Sequence, residues 1–227
     1  MPERDAQDHD VVLGLARLPP GRHGLSRDFV VKNQRDRLTA AIIGVVAERG
    51  YHEATVSQIC AAAGVSRRTF YTYFTSKEEC YLQASELIGE HVAEAMAEAG
   101  AGGGSWPVQV RARLAALLET YAANPALARF TLVAPLRAGA EIGARQPSAP
   151  ERILRSLSEG KPHDRGVKQP SAAIEQTLAG GLVGVIAHKV ERGEGEQLIE
   201  LLPDLTELFL TPYIGREKAA RIARAAS

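Results

Sequence analysis

The amino-acid sequence predicts an all-α protein, and three observations carry that prediction. Apolar residues recur at i, i+3 and i+4 through long Ala- and Leu-rich stretches. Alternating Val/Ile-rich runs of the kind that build strands are missing. Gly, Pro and Ser/Thr fall between the periodic stretches, at positions suited to starting and stopping helices. With 227 residues, 45% of them hydrophobic and 24% charged, the chain can bury a substantial core. That composition argues against disorder of the whole chain.

Taken in order, residues 1–27, around Pro19-Pro20-Gly21, are expected to form a flexible basic arm. A helix follows from about Asp28 to Gly50, with Leu38, Ala41, Ile42, Val45 and Val46 on one stripe and Gly50 at its stop. A short helix is expected from Thr55 to Ala63, then a turn at Gly64-Val65. Ser66 is a good N-cap for a second short helix running to about Phe74. Thr75-Ser76 then caps a long helix from Lys77 to about Ala99. Gly100–Ser105 reads as a flexible break, and helices are expected near 107–123, 125–143, 147–158, 171–192, 195–211 and 215–225. Gly160–Pro170 reads as a polar loop.

Charge is segregated. Lys and Arg equal Asp and Glu at 27 each, which at first argues against a nucleic-acid binder. Divided by segment, residues 1–16 carry −3, residues 17–77 carry +6, and residues 78–227 carry −3. The positive charge lies in one block.

Several functions are excluded or left without support. Cys60 and Cys80 cannot make a disulfide framework, and no four-ligand zinc set is present. The acidic N-terminus has no apolar h-region, so no secretory signal is expected. The longest strongly apolar run, about Leu178–Ala187, is too short to cross a bilayer, and a soluble cytoplasmic protein without membrane partners is expected. Glu86, Glu90, Glu94 and Glu98 at i+4 spacing read as a solvated face, not a metal site. Gly100–Ser105 is not a P-loop, since no Gly-Lys-Ser/Thr follows. No Ser/His/Asp or Cys/His arrangement has convincing context, so neither an enzyme nor a cofactor is expected.

The informative segment is Thr55–Lys77. Val56, Ile59 and Ala63 form one apolar stripe, and Phe70 and Phe74 form another. Gly64 lies between them, where a tight turn needs a residue tolerant of positive φ. Small Cys60 and Ala63 suit a close helix crossing, so the pair reads as a helix-turn-helix. Its second helix presents Arg67, Arg68, Tyr71 and Thr72 away from the phenylalanines. Arginine pairs bidentately with guanine, and Thr or Tyr hydroxyls reach bases or phosphates. Lys77, in the first turn of the next helix, is expected to meet a phosphate with its ammonium and the free backbone N–H groups.

Residues 37–82 resemble the DNA-binding domain of the tetracycline-repressor (TetR) family of transcriptional regulators. The matching pieces are Gly50-Tyr51, Ala54-Thr55-Val56, Ala63-Gly64-Val65-Ser66, Phe70-Tyr71-x-Tyr73-Phe74 and Ser76-Lys77-Glu78-Glu79. The resemblance implies that Arg67, Arg68 and Thr69 read bases. It makes Tyr71, Tyr73, Thr55 and Lys77 the residues that position the DNA backbone, and leaves Phe70 and Phe74 to the core; Ser66 and Thr72 complete the expected DNA-binding set. It also implies a helix-turn-helix DNA-binding domain at 28–76 and a helical ligand-binding and dimerisation domain at 77–227. The last two long helices would pair in a homodimer through Gly180, Gly184, Leu182, Leu201, Leu205 and Leu208. Trp106, Tyr121, Phe130 and His188 are the larger side chains that could line a pocket for an unknown small-molecule effector. The basic residues Arg17, Arg22, His23, Arg27, Lys32, Arg35 and Arg37 could lie in an adjacent minor groove, or form a solvated tail.

The implied function is a ligand-responsive regulator, a repressor that binds a palindromic operator as a dimer and is released by a small molecule. An all-helical ligand-binding protein or enzyme with a vestigial reader domain, and a non-specific DNA-binding protein, are the alternatives.

Overall fold

The computed structural model describes residues 27–138, 148–162 and 167–225. The arm expected at residues 1–27, apart from Arg27, lies outside the described residues. So do the end of the helix expected over 125–143 and the middle of the loop at 160–170. Among the described residues there are helices and no strands.

The helices are α1 (Arg27–Arg49), α2 (Val56–Ala63), α3 (Arg67–Tyr73), α4 (Lys77–Gly100), α5 (Trp106–Ala123), α6 (Pro125–Ala128), α7 (Ala134–Ala138), α8 (Ala149–Ser158), α9 (Ala172–Glu191), α10 (Leu202–Ile214) and α11 (Arg216–Ala223). Two irregular pieces interrupt expected helices. A π-helical turn, Arg129–Val133, separates α6 from α7, and a 3-10 stretch, Gly195–Leu201, precedes α10. The second has a sequence cause: Pro203 lacks an N–H, so it fits the start of an α-helix and not its interior.

The chain forms two compact units, Met1–Leu87 with Arg129–Gln146, and Ile88–Ala128 with Pro147–Ser227. The division falls inside α4, beyond the boundary at 76/77 expected from the sequence. The segment from Arg129 also joins the N-terminal unit, a long-range arrangement that local periodicity does not reveal.

In the first unit α1 supplies the central stripe. Leu38, Ile42 and Ile43 are fully buried, and Ala41, Val45 and Val46 nearly so. The helix stops at Gly50, whose φ of 84° leaves the helical region. Phe70 and Phe74 close the core from α3 and its end, with ring centroids 5.5 Å apart. Burying each of these rings contributes on the order of 1.5–3 kcal/mol. Tyr81 of α4 stacks on Phe130 at 4.5 Å and donates its hydroxyl to the Phe130 carbonyl at 2.9 Å, within the π turn.

In the second unit α5 is the centre, packing against α8, α10, α11 and the 3-10 stretch. It buries Trp106, Val110, Leu114, Leu117, Leu118 and Tyr121. Trp106 Nε1 donates to the Leu157 carbonyl at 3.0 Å and Arg113 Nη1 to the Glu159 carbonyl at 2.6 Å. Both satisfy carbonyls at the end of α8 that a helix leaves without partners. No described helix is long and apolar enough to cross a membrane.

Candidate nucleic-acid interface

The two short helices are built from their caps. Thr55 is the N-cap of α2: its hydroxyl oxygen accepts from the Gln58 N–H at 3.3 Å, while Gln58 Oε1 accepts from the Thr55 N–H at 2.8 Å. That reciprocal pair satisfies two donors an isolated helix start would leave open. Gly64 ends α2 at φ 62°, ψ 39°, the left-handed conformation that favours glycine. Its carbonyl and that of Ala63 accept from Arg37 Nη2, and a Cβ at Gly64 would sit 2.6 Å from that nitrogen. Ser66 then caps α3, its Oγ accepting from the Thr69 N–H at 3.0 Å.

Helix α3 has two faces. Phe70 is fully buried, whereas Arg67, Arg68, Tyr71 and Thr72 are exposed. Tyr71, 52% exposed, is a large aromatic held at the surface. The side chains of Arg67 and Arg68 make no hydrogen bond or ion pair to another described residue, and both residues are exposed.

Other members of the expected set already have intramolecular partners. Thr69 is half-buried, with its Oγ1 2.9 Å from Ser66 Oγ. Thr72 Oγ1 donates to the Arg68 carbonyl at 3.0 Å. Tyr73 is half-buried and donates its hydroxyl to Gln34 Oε1 at 2.9 Å. Lys77 Nζ donates to the carbonyls of Tyr51 and Ala54, at 2.7 and 2.8 Å, and lies 4.2 Å from the centroid of the Tyr51 ring. Burial pushes its pKa down, and nearby Glu53 pulls it back up. Two supposed arm residues are also structural, since Arg37 holds the Gly64 turn and Arg35 Nη2 donates to Gln83 Oε1 at 2.6 Å. Gln34 and Tyr51 are supporting residues the sequence reading missed. No local pattern marks them, because their partners lie 39 and 26 residues away.

Residues 38–84 match the profile of the bacterial regulatory proteins of the tetR family. That match covers about a fifth of the chain. The chain is 41% identical over 53 residues to the fatty acid metabolism regulator protein of Bacillus subtilis (strain 168), covering 23% of this chain and 27% of that protein. It is 36% identical over 74 residues to the HTH-type transcriptional regulator TcmR of Streptomyces glaucescens, covering 33% and 32%. The chain thus spans about a third or less of the length of these relatives. The likeness in fold is wider. The solved structure of the fatty acid degradation regulator FadR from Bacillus halodurans aligns with a TM-score of 0.64 at 21% identity, covering 78% of this chain and 94% of that one.

The second unit places its expected residues less uniformly. Trp106 and Tyr121 are buried on α5, and the Trp106 ring lies 5.1 Å from Tyr213. Phe130 belongs to the first unit, against Tyr81. His188 is exposed on α9 and lines no interior. The expected pocket quartet therefore falls in both units, three residues in the second and Phe130 in the first. An apolar run with its glycines facing out reads as buried all round, which is why His188 looked internal.

The expected dimer residues also divide. Leu182 and Leu205 are buried within the chain, at 0% and 3% exposure, and have no surface to offer a partner. Leu201 is half-buried, and Leu208 is 48% exposed. Gly180 and Gly184 are exposed on α9, together with Gly181, Ile174 and Val185, which the sequence reading passed over. A Cβ at any of these three glycines would meet nothing within 4 Å.

Both thiols are buried, and burial pushes both pKa values up, Cys80 strongly and Cys60 with partial relief from Arg67. Neither is a poised redox centre. Among the described residues no group of His, Cys, Asp and Glu could hold a metal ion.

Proposed function

We propose that this chain is a transcriptional regulator, not an enzyme, that binds a palindromic operator as a homodimer in the cytoplasm and is released by a small molecule. The observation that carries the reading is α3. It buries Phe70 while holding Arg67 and Arg68 in solvent, their side chains without a hydrogen bond or ion pair among the described residues. A helix kept for packing alone has no use for two adjacent unpaired guanidinium groups, whereas guanine edges in a major groove match them. Thr55, Tyr71 and Thr72 flank that pair and suit phosphate or base contacts. Ser66, Thr69 and Tyr73 support the reader helix through their own hydrogen bonds.

Dimerisation is supported by the exposed face of α9. Each glycine inside a helix costs about 1 kcal/mol relative to alanine. Among the described residues no neighbour occupies the space left by Gly180, Gly181 and Gly184. A partner helix approaching closely would use that space, with Ile174, Val185 and Leu208 adding exposed apolar surface. One seven-residue helix makes few base contacts, and a dyad doubles them over half-sites about 34 Å apart. The effector would act in the helical unit that holds Trp106 and Tyr121. Fatty acids are the first class to test, because a relative is named for fatty acid metabolism.

Selection of bound fragments from random DNA tests the reading. The expected result is an inverted repeat bound at least roughly 10³-fold tighter than unrelated DNA at near-physiological salt. Equal affinity for all sequences would assign the chain to non-specific binding, and no binding would remove DNA from the account.

A further inference from the structure

We propose that Arg37 is a positioning residue of the DNA reader: it holds the turn into α3 so that Arg67 and Arg68 meet base edges together. The assignment rests on the DNA-binding reading above. Helix α3 needs this hold because its apolar anchor lies towards one end. Phe70 is its one buried residue, and Phe74 is buried just beyond its last turn. Ser66, Arg67 and Arg68 at the other end are exposed, so no core packing locates them. The last turn has a further hold, since the Tyr73 hydroxyl donates to Gln34 Oε1 on α1 at 2.9 Å. The first turn is located by the chain that enters it.

That entry is fixed from α1. At the end of α2 the Gly64 and Val65 N–H groups donate to the Ala61 and Cys60 carbonyls, at 3.2 and 3.0 Å. The Ala63 and Gly64 carbonyls need a partner from elsewhere, as the last carbonyls of a helix do. Arg37 Nη2 donates to both, and its positive charge suits the negative end of α2. The fit is mutual. A Cβ at Gly64 would stand 2.6 Å from Nη2, so glycine lets the guanidinium close on the turn. Asparagine also tolerates the left-handed φ of 62°, but its side chain would meet the arginine. Only Val65 and the cap Ser66 separate the held Gly64 carbonyl from Arg67, so a displaced turn displaces the reader arginines with it. Gln34 and Arg37 stand three apart on α1, so one face of that helix holds both ends of α3.

The test uses the full chain, DNA recovered by the random-sequence selection, and Arg37→Met, which keeps an apolar stem without charge or donors. Folding of each variant is checked by circular dichroism and urea unfolding. Arg37→Met is expected to bind the selected DNA on the order of tenfold more weakly, with the salt dependence unchanged. Its preference should relax at the same base pairs that Arg67 and Arg68 read. Placed in an Arg67→Ala, Arg68→Ala background, the substitution should cost almost nothing, because no guanidinium forks are left to misplace. Arg37→Lys keeps a charged donor but not the planar fork, and is expected to lose about threefold in the same pattern. It carries the test if the Met variant does not fold. A phosphate contact would instead cost the same in both backgrounds and on all sequences, and Arg37→Met would lower the slope of log K against log salt by about 0.9. A merely structural arginine would leave affinity and base preference at wild-type values in the folded variants. Either result overturns the assignment and leaves the DNA-binding reading intact. If wild type selects no DNA at all, that reading fails and the assignment with it.

Discussion

Gly64 is required twice: its φ of 62° disfavours a side chain, and Arg37 occupies the place where a Cβ would stand. Gly64→Ala is therefore expected to destabilise the chain by about 1–2 kcal/mol, measured by urea unfolding. A loss below a few tenths of a kcal/mol would show that Arg37 moves aside without penalty. The need for positive φ was legible from Ala63-Gly64-Val65-Ser66. The role of Arg37 was not, because its partners are backbone carbonyls 26 and 27 residues away. The carbonyl partners of Lys77 were hidden for the same reason: its position at a helix start suggested an anion, and only the folded chain brings the Tyr51 and Ala54 carbonyls to it. At Cys60 and Cys80 burial raises both pKa values, so neither thiol should react with a thiol reagent at pH 8 until the chain is unfolded. Rapid labelling of the native protein would contradict the burial.

At the scale of elements, caps and periodicity account for most of what could be read in advance. α1, α2, α3 and α9 begin and end within two residues of their expected limits. The π turn at Arg129–Val133 was not legible, because its Phe130 carbonyl bonds to Tyr81, about fifty residues earlier. For α9 the period was clear but the outward face was misread, since glycine scores as apolar whether it packs or not. Gly180→Leu with Gly184→Leu is expected to leave the fold intact, because both sites open to solvent, and to weaken dimerisation. Unchanged sedimentation at low micromolar concentration would remove this face as the interface. The end of α9 also carries a pH signature. Glu194 accepts from Lys189 at 2.5 Å and Arg192 at 2.6 Å, which pulls its pKa from 4.5 to about 2. A carboxyl depressed by folding contributes stability above its unfolded pKa and loses it as pH falls through the folded value. The thermal midpoint should therefore drop more steeply between pH 4.5 and about 2 in wild type than in Glu194→Gln. Parallel curves would mean that these pairs are too exposed to matter.

For the whole molecule, zero net charge concealed a basic block over residues 17–77 between two acidic segments. The all-α class, the likeness of residues 37–82 to the tetR family's DNA-binding domain and the short helix exposing Arg67 and Arg68 were all legible in the chain. The composition of the two compact units was not, because the segment from Arg129 meets the first unit through contacts far apart in sequence, as between Tyr81 and Phe130. A basic reader on an otherwise acidic chain favours approach to DNA through that face and discourages adsorption elsewhere. The central claim is that Arg67 and Arg68 read bases. It is tested most directly by measuring Arg67→Ala and Arg68→Ala against the selected DNA and a panel carrying every single base-pair change. The account predicts a loss of about 1–3 kcal/mol on the selected site and relaxed preference at particular base pairs. An equal loss on every sequence would make both arginines phosphate contacts and contradict it.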